Sequence, residues 1–200
     1  MSKRIIVTGG AGFIGSNLCD YLLNNGNEVI CIDNFDDYYN PQIKRHNIQK
    51  ALSHPKYTLI EEDIKNVNKI AKQLDGNFDA IIHLAAKAGV RYSLKYPVGY
   101  EESNVVGTKN ILNLAVKQGI NQFIFASSSS IYGNAPTPFD ENFTNLKPIN
   151  PYAQTKLLSE QIGKEYSEKY NLRFISLRFF SVYGPRLRPD LVMNKIANSI

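Results

Sequence analysis

The segment Thr8-Gly9-Gly10-Ala11-Gly12-Phe13-Ile14-Gly15 decides how this chain folds. It follows a short apolar run, Ile5-Ile6-Val7, which has no polar break and is typical of a strand buried on both faces. It precedes leucines at helical spacing between Leu18 and Leu23, and Gly26 stands where such a helix would end. The sequence therefore predicts a strand, a glycine turn and a helix. The free N–H groups at the start of that helix can bind the pyrophosphate of a dinucleotide.

The next elements support a dinucleotide site, which a glycine pattern alone would not establish. A second apolar run, Val29-Ile30-Cys31-Ile32, ends on Asp33, whose carboxylate can accept hydrogen bonds from the hydroxyls of an adenosine ribose. The alternative is that Asp33-Asn34 is only a polar turn after a strand. Because a carboxylate repels a 2′-phosphate, Asp33 favours NAD over NADP, and Lys44 and Arg45 soften that preference without reversing it.

Length and composition exclude several classes of protein. Two hundred residues, of which 43% are hydrophobic, suit one globular domain, taken as residues 1–200. The net charge of +5 is modest and the basic residues are scattered, so no nucleic-acid partner is expected. Cys19 and Cys31 are expected to be buried thiols, and the histidines and cysteines show no metal-ligand spacing. The first strand begins by residue 5 and no apolar run approaches about 20 residues, so we expect a cytoplasmic protein without a signal peptide or a membrane span.

Strands and helices alternate along the rest of the chain. Strands are predicted at Thr58–Ile60, Ala80–Leu84, Gln122–Ala126 and Arg173–Leu177, and helices at about residues 66–75, 100–118 and 152–170. This alternation predicts an α/β fold with a doubly wound, Rossmann-type parallel sheet. His83, at the end of a strand, is interpreted as a core histidine rather than a catalytic base. The segment from Pro189 to Ile200 reads as a helix without a stop signal, so we expect the chain to be a piece of a longer protein.

Two residues with catalytic character open the helix predicted from Tyr152. Tyr152 and Lys156 lie one helical turn apart and face the same way, and the strand before them ends in the serines 127–130. A lysine cation close to a tyrosine favours the phenolate, which can take a proton from a substrate hydroxyl near neutral pH. The spacing alone is weak evidence, and an ordinary amphipathic helix is the alternative. The position after a dinucleotide turn and a serine-tipped strand favours the catalytic interpretation.

The motifs of the chain resemble those of the extended short-chain dehydrogenase/reductase family, and within it the NAD-dependent nucleotide-sugar epimerases and dehydratases. The segments that carry the resemblance are the glycine turn, Asp33-Asn34, Asp63-Ile64, His83-Leu84-Ala85-Ala86, Ser127–Ser130 with Tyr132-Gly133, Pro151-Tyr152 with Lys156, and Leu177–Pro185. The stretches 83–92 and 183–190 are most similar to the UDP-glucuronate 4-epimerases, ahead of the UDP-glucose 4-epimerases. In the family a C-terminal portion supplies most of the substrate site, and that portion is largely missing here.

The resemblance implies roles for individual residues. The catalytic set would be Ser128, Tyr152 and Lys156. The NAD site would contain Gly9, Gly12, Phe13, Ile14, Asp33, Asn34, Asp63, Ile64, Leu84, Ala85, Ala86, Asn104, Tyr152, Lys156 and Phe179. The substrate site would contain Arg91, Ser129, Ser130, Ser181 and Arg188. A homodimer is also implied, because the helices at 100–118 and 152–170 pair between subunits in the family.

The reaction implied is the 4-epimerisation of a UDP-sugar through a transient 4-keto intermediate. Tyr152 removes the proton of the 4-hydroxyl as the hydride leaves C4 for NAD, and the hydride then returns to the other face of the sugar. Arginine can bind the carboxylate of UDP-glucuronate bidentately, and Arg91, Arg186 and Arg188 are available. The same arginines can instead neutralise the diphosphate, so UDP-glucose and UDP-N-acetylglucosamine are the alternative substrates.

Other activities of the family are alternatives of lower rank. Dehydratases carry an Asp-Glu pair, and decarboxylases a glutamate, where this chain has Ser129-Ser130. A non-catalytic NAD-binding protein is the alternative from another class, and an intact serine, tyrosine and lysine set argues against it. The 200-residue chain by itself is expected to show little or no activity.

Overall fold

The computed structural model describes residues 2–197. Within them six strands form one sheet in the order β3-β2-β1-β4-β5-β6, and every neighbouring pair is parallel. The strands are β1 (Arg4–Thr8), β2 (Glu28–Asp33), β3 (Tyr57–Glu61), β4 (Ala80–His83), β5 (Gln122–Ser128) and β6 (Arg173–Phe179). The predicted doubly wound, Rossmann-type parallel sheet is therefore confirmed.

Helices cover both faces of this sheet. They are α1 (Phe13–Asn24), α2 (Pro41–Asn47), α3 (Gln49–Leu52), α4 (Val67–Ala71), α5 (Val90–Lys95), α6 (Pro97–Tyr100), α7 (Gly107–Lys117), α8 (Pro151–Tyr170) and α9 (Val192–Ala197). Since successive strand residues point to opposite faces, Ile5 and Val7 pack with α1 and α3, whereas Ile6 packs with α4, α7 and α8. Among residues 2–197, no helix has both the length and the apolar character needed to cross a membrane.

Two helical regions differ from the prediction. The helix expected at 66–75 is only α4, because a turn in which the Gln73 N–H donates to the Ile70 carbonyl (2.9 Å) ends it. The region 100–118 begins with a π-helical segment, Glu101–Val106, before α7. At the junction a Cβ on Gly107 would lie 2.8 Å from Cγ1 of Ile64, so the isoleucine side chain packs directly against the backbone of this glycine. The helix predicted near the end of the chain is confirmed as α9, and its predicted residues 198–200 lie outside the described residues.

The start of α8 is fixed by a side-chain cap. The Asn150 side chain accepts a hydrogen bond from the N–H of Ala153 (2.9 Å), and Pro151 occupies the first helical position, where a missing N–H costs nothing. Asn150 is buried, so the bond is shielded from water. The helix is 20 residues long and ends at Tyr170, and the next residue, Asn171, has a left-handed φ of 53°. The cap therefore sets where the first turn of α8, with Tyr152, meets the edge of the sheet.

Removing this cap should weaken the fold by a measurable amount. Asn150→Ala is expected to lower the free energy of unfolding by about 1 kcal/mol, because the Ala153 N–H loses its acceptor. Asn150→Asp keeps an acceptor at the same position and should remain within about 0.5 kcal/mol of the wild type. Urea unfolding followed by circular dichroism measures both. An equal loss in the two variants would contradict the capping role.

Candidate active site

A cavity of about 680 Å³ runs along the carboxyl edge of the sheet, where open α/β sheets bind their ligands. Its wall is built from the segments that follow the six strands and from the first turns of α1 and α8. Of the predicted site residues it contains Ser128, Tyr152, Lys156, Gly9, Gly12, Phe13, Ile14, Asp33, Asn34, Asp63, Ile64, Leu84, Ala85, Ala86, Phe179, Ser129, Ser130, Ser181 and Arg188. Arg91 and Asn104 lie outside this wall. The roles of these residues stay predictions, while their assembly in one cavity is a structural result.

The glycine turn packs backbone against backbone. Gly9 has a φ of +70°, and a Cβ on it would lie 2.7 Å from the backbone nitrogen of Ala85. A Cβ on Gly15 would overlap the carbonyl oxygen of Gly9. No side chain caps the start of α1, no acidic residue occupies its first turn, and Phe13 and Ile14 line the cavity. The N-terminus of α1 is therefore open to an anionic group in the cavity.

Asp33 lies at one end of the cavity, at the tip of β2, and is almost fully buried. Its Oδ2 accepts a hydrogen bond from the N–H of Ala11 (3.1 Å). Its Oδ1 accepts from the N–H of Phe35 (2.9 Å) and from the ammonium of Lys44 (3.3 Å). These donors hold the carboxylate in one orientation at the cavity wall. A carboxylate held in this way can receive a further hydrogen bond from a ribose hydroxyl.

Lys156 lies at the other end of the cavity, and its side chain is buried up to the terminal amine. Its Nζ donates a hydrogen bond to the carbonyl oxygen of Ala126 (2.7 Å). Burial lowers the pKa of the Lys156 ammonium from its ordinary value of 10.5 to about 7, and the negative charge of Glu160 opposes part of this shift. The lysine is therefore poised between its two protonation states near neutral pH.

Tyr152 stands one helical turn before Lys156 on α8. Burial raises the pKa of its hydroxyl, while a hydrogen bond with Ser128 and the positive charge of Arg188 lower it. The sequence analysis expects Lys156 to be the cation that favours the phenolate. In the structure the Lys156 Nζ lies 5.9 Å from the centroid of the Tyr152 ring, and the cation that lowers the pKa of Tyr152 is Arg188. A phenol, a serine hydroxyl and an amine thus meet in a buried setting suited to proton transfer.

The serines after β5 form a hydroxyl-rich wall beside Tyr152. Ser128 Oγ donates to Ser130 Oγ (3.1 Å) and accepts from the Ser130 N–H (3.2 Å). Ser129 and Ser181 also face the cavity. Ser127 Oγ is buried and finds no hydrogen-bond partner among the residues that the structure describes. This end of the cavity offers many hydroxyl groups to a polar ligand.

Three residues that the sequence analysis considered for the site are placed elsewhere. Arg91 is exposed on α5, and Arg186 pairs with Asp20 of α1 (2.6 Å). Asn104 is buried behind the wall, where its Oδ1 accepts from the Lys87 N–H (2.7 Å) and its Nδ2 donates to the Lys87 carbonyl (3.1 Å). The Nδ2 also donates to Thr155 Oγ1 on α8 (3.1 Å), so the Asn104 side chain links the backbone of the wall to α8 from behind.

The sequence analysis missed several wall residues on the loops after β2 and β4. Lys87 pairs with Asp36 (2.9 Å), which links these two loops. The hydroxyl of Tyr38 donates to Asp190 (3.3 Å), and Arg188 holds the same carboxylate through Nε (3.0 Å) and Nη2 (2.9 Å). The sequence feature that could have indicated them is the run of acidic and aromatic residues at 36–39, shortly after Asp33.

Known proteins resemble this chain in sequence and in architecture. The model of the NAD dependent epimerase/dehydratase family matches residues 5–200. UDP-glucuronate 4-epimerase 6 of Arabidopsis thaliana is 41% identical over 190 residues, which cover 94% of this chain and 41% of that protein. The crystal structure of UDP-glucuronic acid 4-epimerase from Bacillus cereus with UDP-glucuronic acid and NAD has a TM-score of 0.88 at 36% identity, covering 96% of this chain and 60% of that one. The dTDP-glucose 4,6-dehydratase DesIV of Streptomyces venezuelae, with NAD bound, has a TM-score of 0.89 at 30% identity, covering 98% and 61%. The chain spans less than two thirds of the length of each of these relatives.

The buried lysine predicts a specific pH dependence of stability. The ordinary lysine pKa is 10.5, whereas burial lowers the pKa of Lys156 in the folded chain to about 7. Between these values the unfolded chain binds a proton that the folded chain does not, so the cost of burying Lys156 grows as the pH falls to about 7 and is constant below it. The stability of Lys156→Met relative to the wild type should therefore rise as the pH falls from about 10 to about 7, by up to about 1.4 kcal/mol per pH unit.

Urea unfolding of both proteins across this pH range measures the difference in unfolding free energy. Lys164→Met is the matched control, because it removes a largely exposed lysine, 78% accessible, from the same helix. Its difference from the wild type should not change with pH. A Lys156→Met difference that is equally flat would show that the ammonium is not destabilised in the folded chain.

Proposed function

Because the chain belongs to the NAD dependent epimerase/dehydratase family, we propose that it is an NAD-dependent 4-epimerase of a nucleotide sugar, with UDP-glucuronate as the substrate. The observation that carries the proposal is the continuity of the cavity. Its wall contains the open N-terminus of α1 as well as Ser128, Tyr152 and Lys156. A dinucleotide and a reacting hydroxyl can therefore meet inside one cavity, and the chain would act as one domain that binds the cofactor and carries the catalytic residues.

The residues at the glycine turn fit a dinucleotide. Gly9 and Gly15 bring the turn into backbone contact with its neighbours, and the first residues of α1, Phe13 and Ile14, line the cavity without a side-chain cap on their N–H groups. These groups would hold the pyrophosphate, and Asp33 would accept a hydrogen bond from a ribose hydroxyl. When bound, NAD supplies the group that accepts a hydride from the sugar and returns it.

The proton transfers fall to the residues of α8 and β5. Tyr152 Oη takes the proton of the sugar 4-hydroxyl and returns it when the hydroxyl forms again. Ser128, whose hydroxyl is close enough to Tyr152 to lower the pKa of the phenol, would hold the same sugar oxygen during the exchange. Lys156, anchored on the Ala126 carbonyl, stabilises the phenolate when it carries its proton. Ser128 and Lys156 are buried and Tyr152 is partly buried, which limits the access of water to the exchange.

The serine-rich wall favours epimerisation over the loss of water. An elimination needs an acid and a base close to the catalytic hydroxyl, and neither Ser129 nor Ser130 provides one at neutral pH. The carboxylates of the cavity wall are Asp33, Asp36, Glu62 and Asp63. They come from the segments after β2 and β3, which β1 and β4 separate from β5 in the sheet. The geometry therefore supports an epimerase better than a dehydratase.

Arg188 supports an acidic sugar as the substrate. It lines the cavity together with Ser181, and Asp190 occupies its Nε and one N–H of Nη2. Its Nη1 has no hydrogen-bond partner among residues 2–197, so this edge of the guanidinium is available to a carboxylate. A diphosphate could occupy the same edge, which makes UDP-glucose and UDP-N-acetylglucosamine the competing substrates.

A homodimer through α7, α8 and the preceding π-helical segment is part of the proposal. Val106 and Leu158, large apolar residues on these elements, are 49% and 45% exposed, and a second copy would cover them. Sedimentation of the protein would then give about twice the 22.5 kDa mass of the chain. A mass of 22.5 kDa at every protein concentration would exclude the dimer.

Tyr152→Phe tests the catalytic assignment. The variant keeps the ring but loses the atom that exchanges the proton, so turnover should fall by a factor of about 1,000 or more while NAD affinity stays within about threefold. The assay uses the complete polypeptide that contains this chain, and calorimetry measures NAD binding. Tyr170→Phe, on the same helix and far from the cavity, is the control and should keep wild-type turnover. Near-normal turnover in Tyr152→Phe would assign the base elsewhere.

The choice of sugar is tested by assaying UDP-glucuronate, UDP-glucose and UDP-N-acetylglucosamine side by side, with separation of the epimers. We expect the highest kcat/KM for UDP-glucuronate, because the free edge of Arg188 matches its carboxylate. Arg188→Ala should remove that preference. An equal or higher kcat/KM for a neutral sugar would exclude the glucuronate assignment and leave the epimerase proposal intact.

A further inference from the structure

Lys44 is a buried cation in the wall of the cavity. It is 9% exposed and lies on α2, with its Nζ 3.3 Å from Oδ1 of Asp33. The Nζ also lies 5.6 Å from the centroid of the Tyr39 ring. Within residues 2–197 the Asp33 oxygen is its one hydrogen-bond acceptor, so two of its three N–H groups are left for a ligand in the cavity.

The Asp33 carboxylate is less free than its position at the tip of β2 suggests. Two backbone N–H groups, from Ala11 and Phe35, and the Lys44 ammonium all donate to its two oxygens. The ammonium cancels the carboxylate charge, so this end of the cavity presents a neutral ion pair rather than an isolated anion. The repulsion of a 2′-phosphate expected from Asp33 alone is therefore largely offset.

The other charged groups near this end have partners of their own. Lys87 is paired with Asp36 (2.9 Å). Arg45, adjacent to Lys44 in sequence, forms two hydrogen bonds to Glu61 (3.1 and 2.6 Å) outside the cavity wall. Its guanidinium lies 4.1 Å from the centroid of the Phe35 ring. Lys44 and Arg45 thus carry the same charge at neighbouring positions, but only Lys44 lines the cavity.

We propose that Lys44 is a specificity-determining residue for the adenosine ribose of the cofactor. Its free N–H groups can donate a hydrogen bond to either a 2′-hydroxyl oxygen or a 2′-phosphate oxygen, and its charge limits how strongly Asp33 discriminates against NADP. The inference rests on the proposed binding of NAD. It means that the wild type prefers NAD only modestly, and that the preference is set by the balance between Lys44 and Asp33.

Calorimetric titration of the chain with NAD and with NADP tests this inference. In Lys44→Met the Kd for NADP should rise at least tenfold, while the Kd for NAD stays within about threefold, because the charge of Asp33 then acts unopposed on the 2′-phosphate. Lys44→Arg keeps the cation and should restore NADP binding to within about threefold of the wild type. Arg45→Met removes the same charge one residue away and should change neither affinity.

The outcomes separate the two proposals. If the wild type binds no NAD, the proposed function fails and this inference fails with it. If NAD binds but Lys44→Met weakens NADP no more than NAD, or no more than Arg45→Met does, the inference alone is overturned. Thermal unfolding of each variant shows whether it is folded. If Lys44→Met is not, Lys44→Gln replaces it with the same expected tenfold loss for NADP, and the same result overturns the inference.

Discussion

A relay of buried hydrogen bonds through His83 ties the strand ends of this protein together. Burial, with a neighbouring ammonium, lowers the pKa of His83 to about 3, so its imidazole is neutral and has one donor and one acceptor nitrogen. Thr8 Oγ1 lies 2.6 Å from Nδ1, and Thr108 Oγ1 lies 3.0 Å from Nε2. Thr8 Oγ1 also accepts from the Ala85 N–H, and Thr108 Oγ1 donates to the Asn104 carbonyl. These two bonds assign the proton to Nε2 and give the relay one direction.

The relay determines the position of the cavity wall. At one end Thr8 holds the backbone of Ala85 (3.2 Å), and at the other Asn104 holds both backbone groups of Lys87. Gly9 packs against Ala85 with no room for a side chain, so any shift of this wall would collide with the glycine turn or open a gap beside it. A second proton on the imidazole would turn an acceptor into a donor and break the relay. A histidine outside the cavity wall therefore shapes the place where the ligand lies.

Local patterns were enough to predict the elements of the fold. The alternation of strands and helices, the glycine turn and the core position of His83 each depend on a few neighbouring residues, and the structure confirms them. Contacts between segments that are distant in the sequence leave no local pattern from which they could be predicted. Lys44 and Arg45 are adjacent basic residues that the sequence alone does not distinguish. The orientation of α2 places Lys44 against Asp33 and Arg45 against Glu61, outside the cavity. Likewise, no local pattern shows that Asn104, in a π-helical segment, contacts the backbone of the wall at Lys87.

The end of the cavity that contains Tyr152 and Lys156 has two possible protonation states of the same net charge. Burial raises the pKa of Tyr152 and lowers that of Lys156, which favours an uncharged phenol beside an uncharged amine. The state that can remove a proton has a phenolate and an ammonium, so it needs groups that stabilise separated charges away from bulk water. Ser128 contributes a hydrogen bond at the phenol. Glu160 favours the ammonium, but Arg178 holds both of its carboxylate oxygens (3.2 and 3.0 Å), which limits its effect. Burial therefore opposes charge at both residues, while Ser128, Arg188 and Glu160 act in the opposite direction.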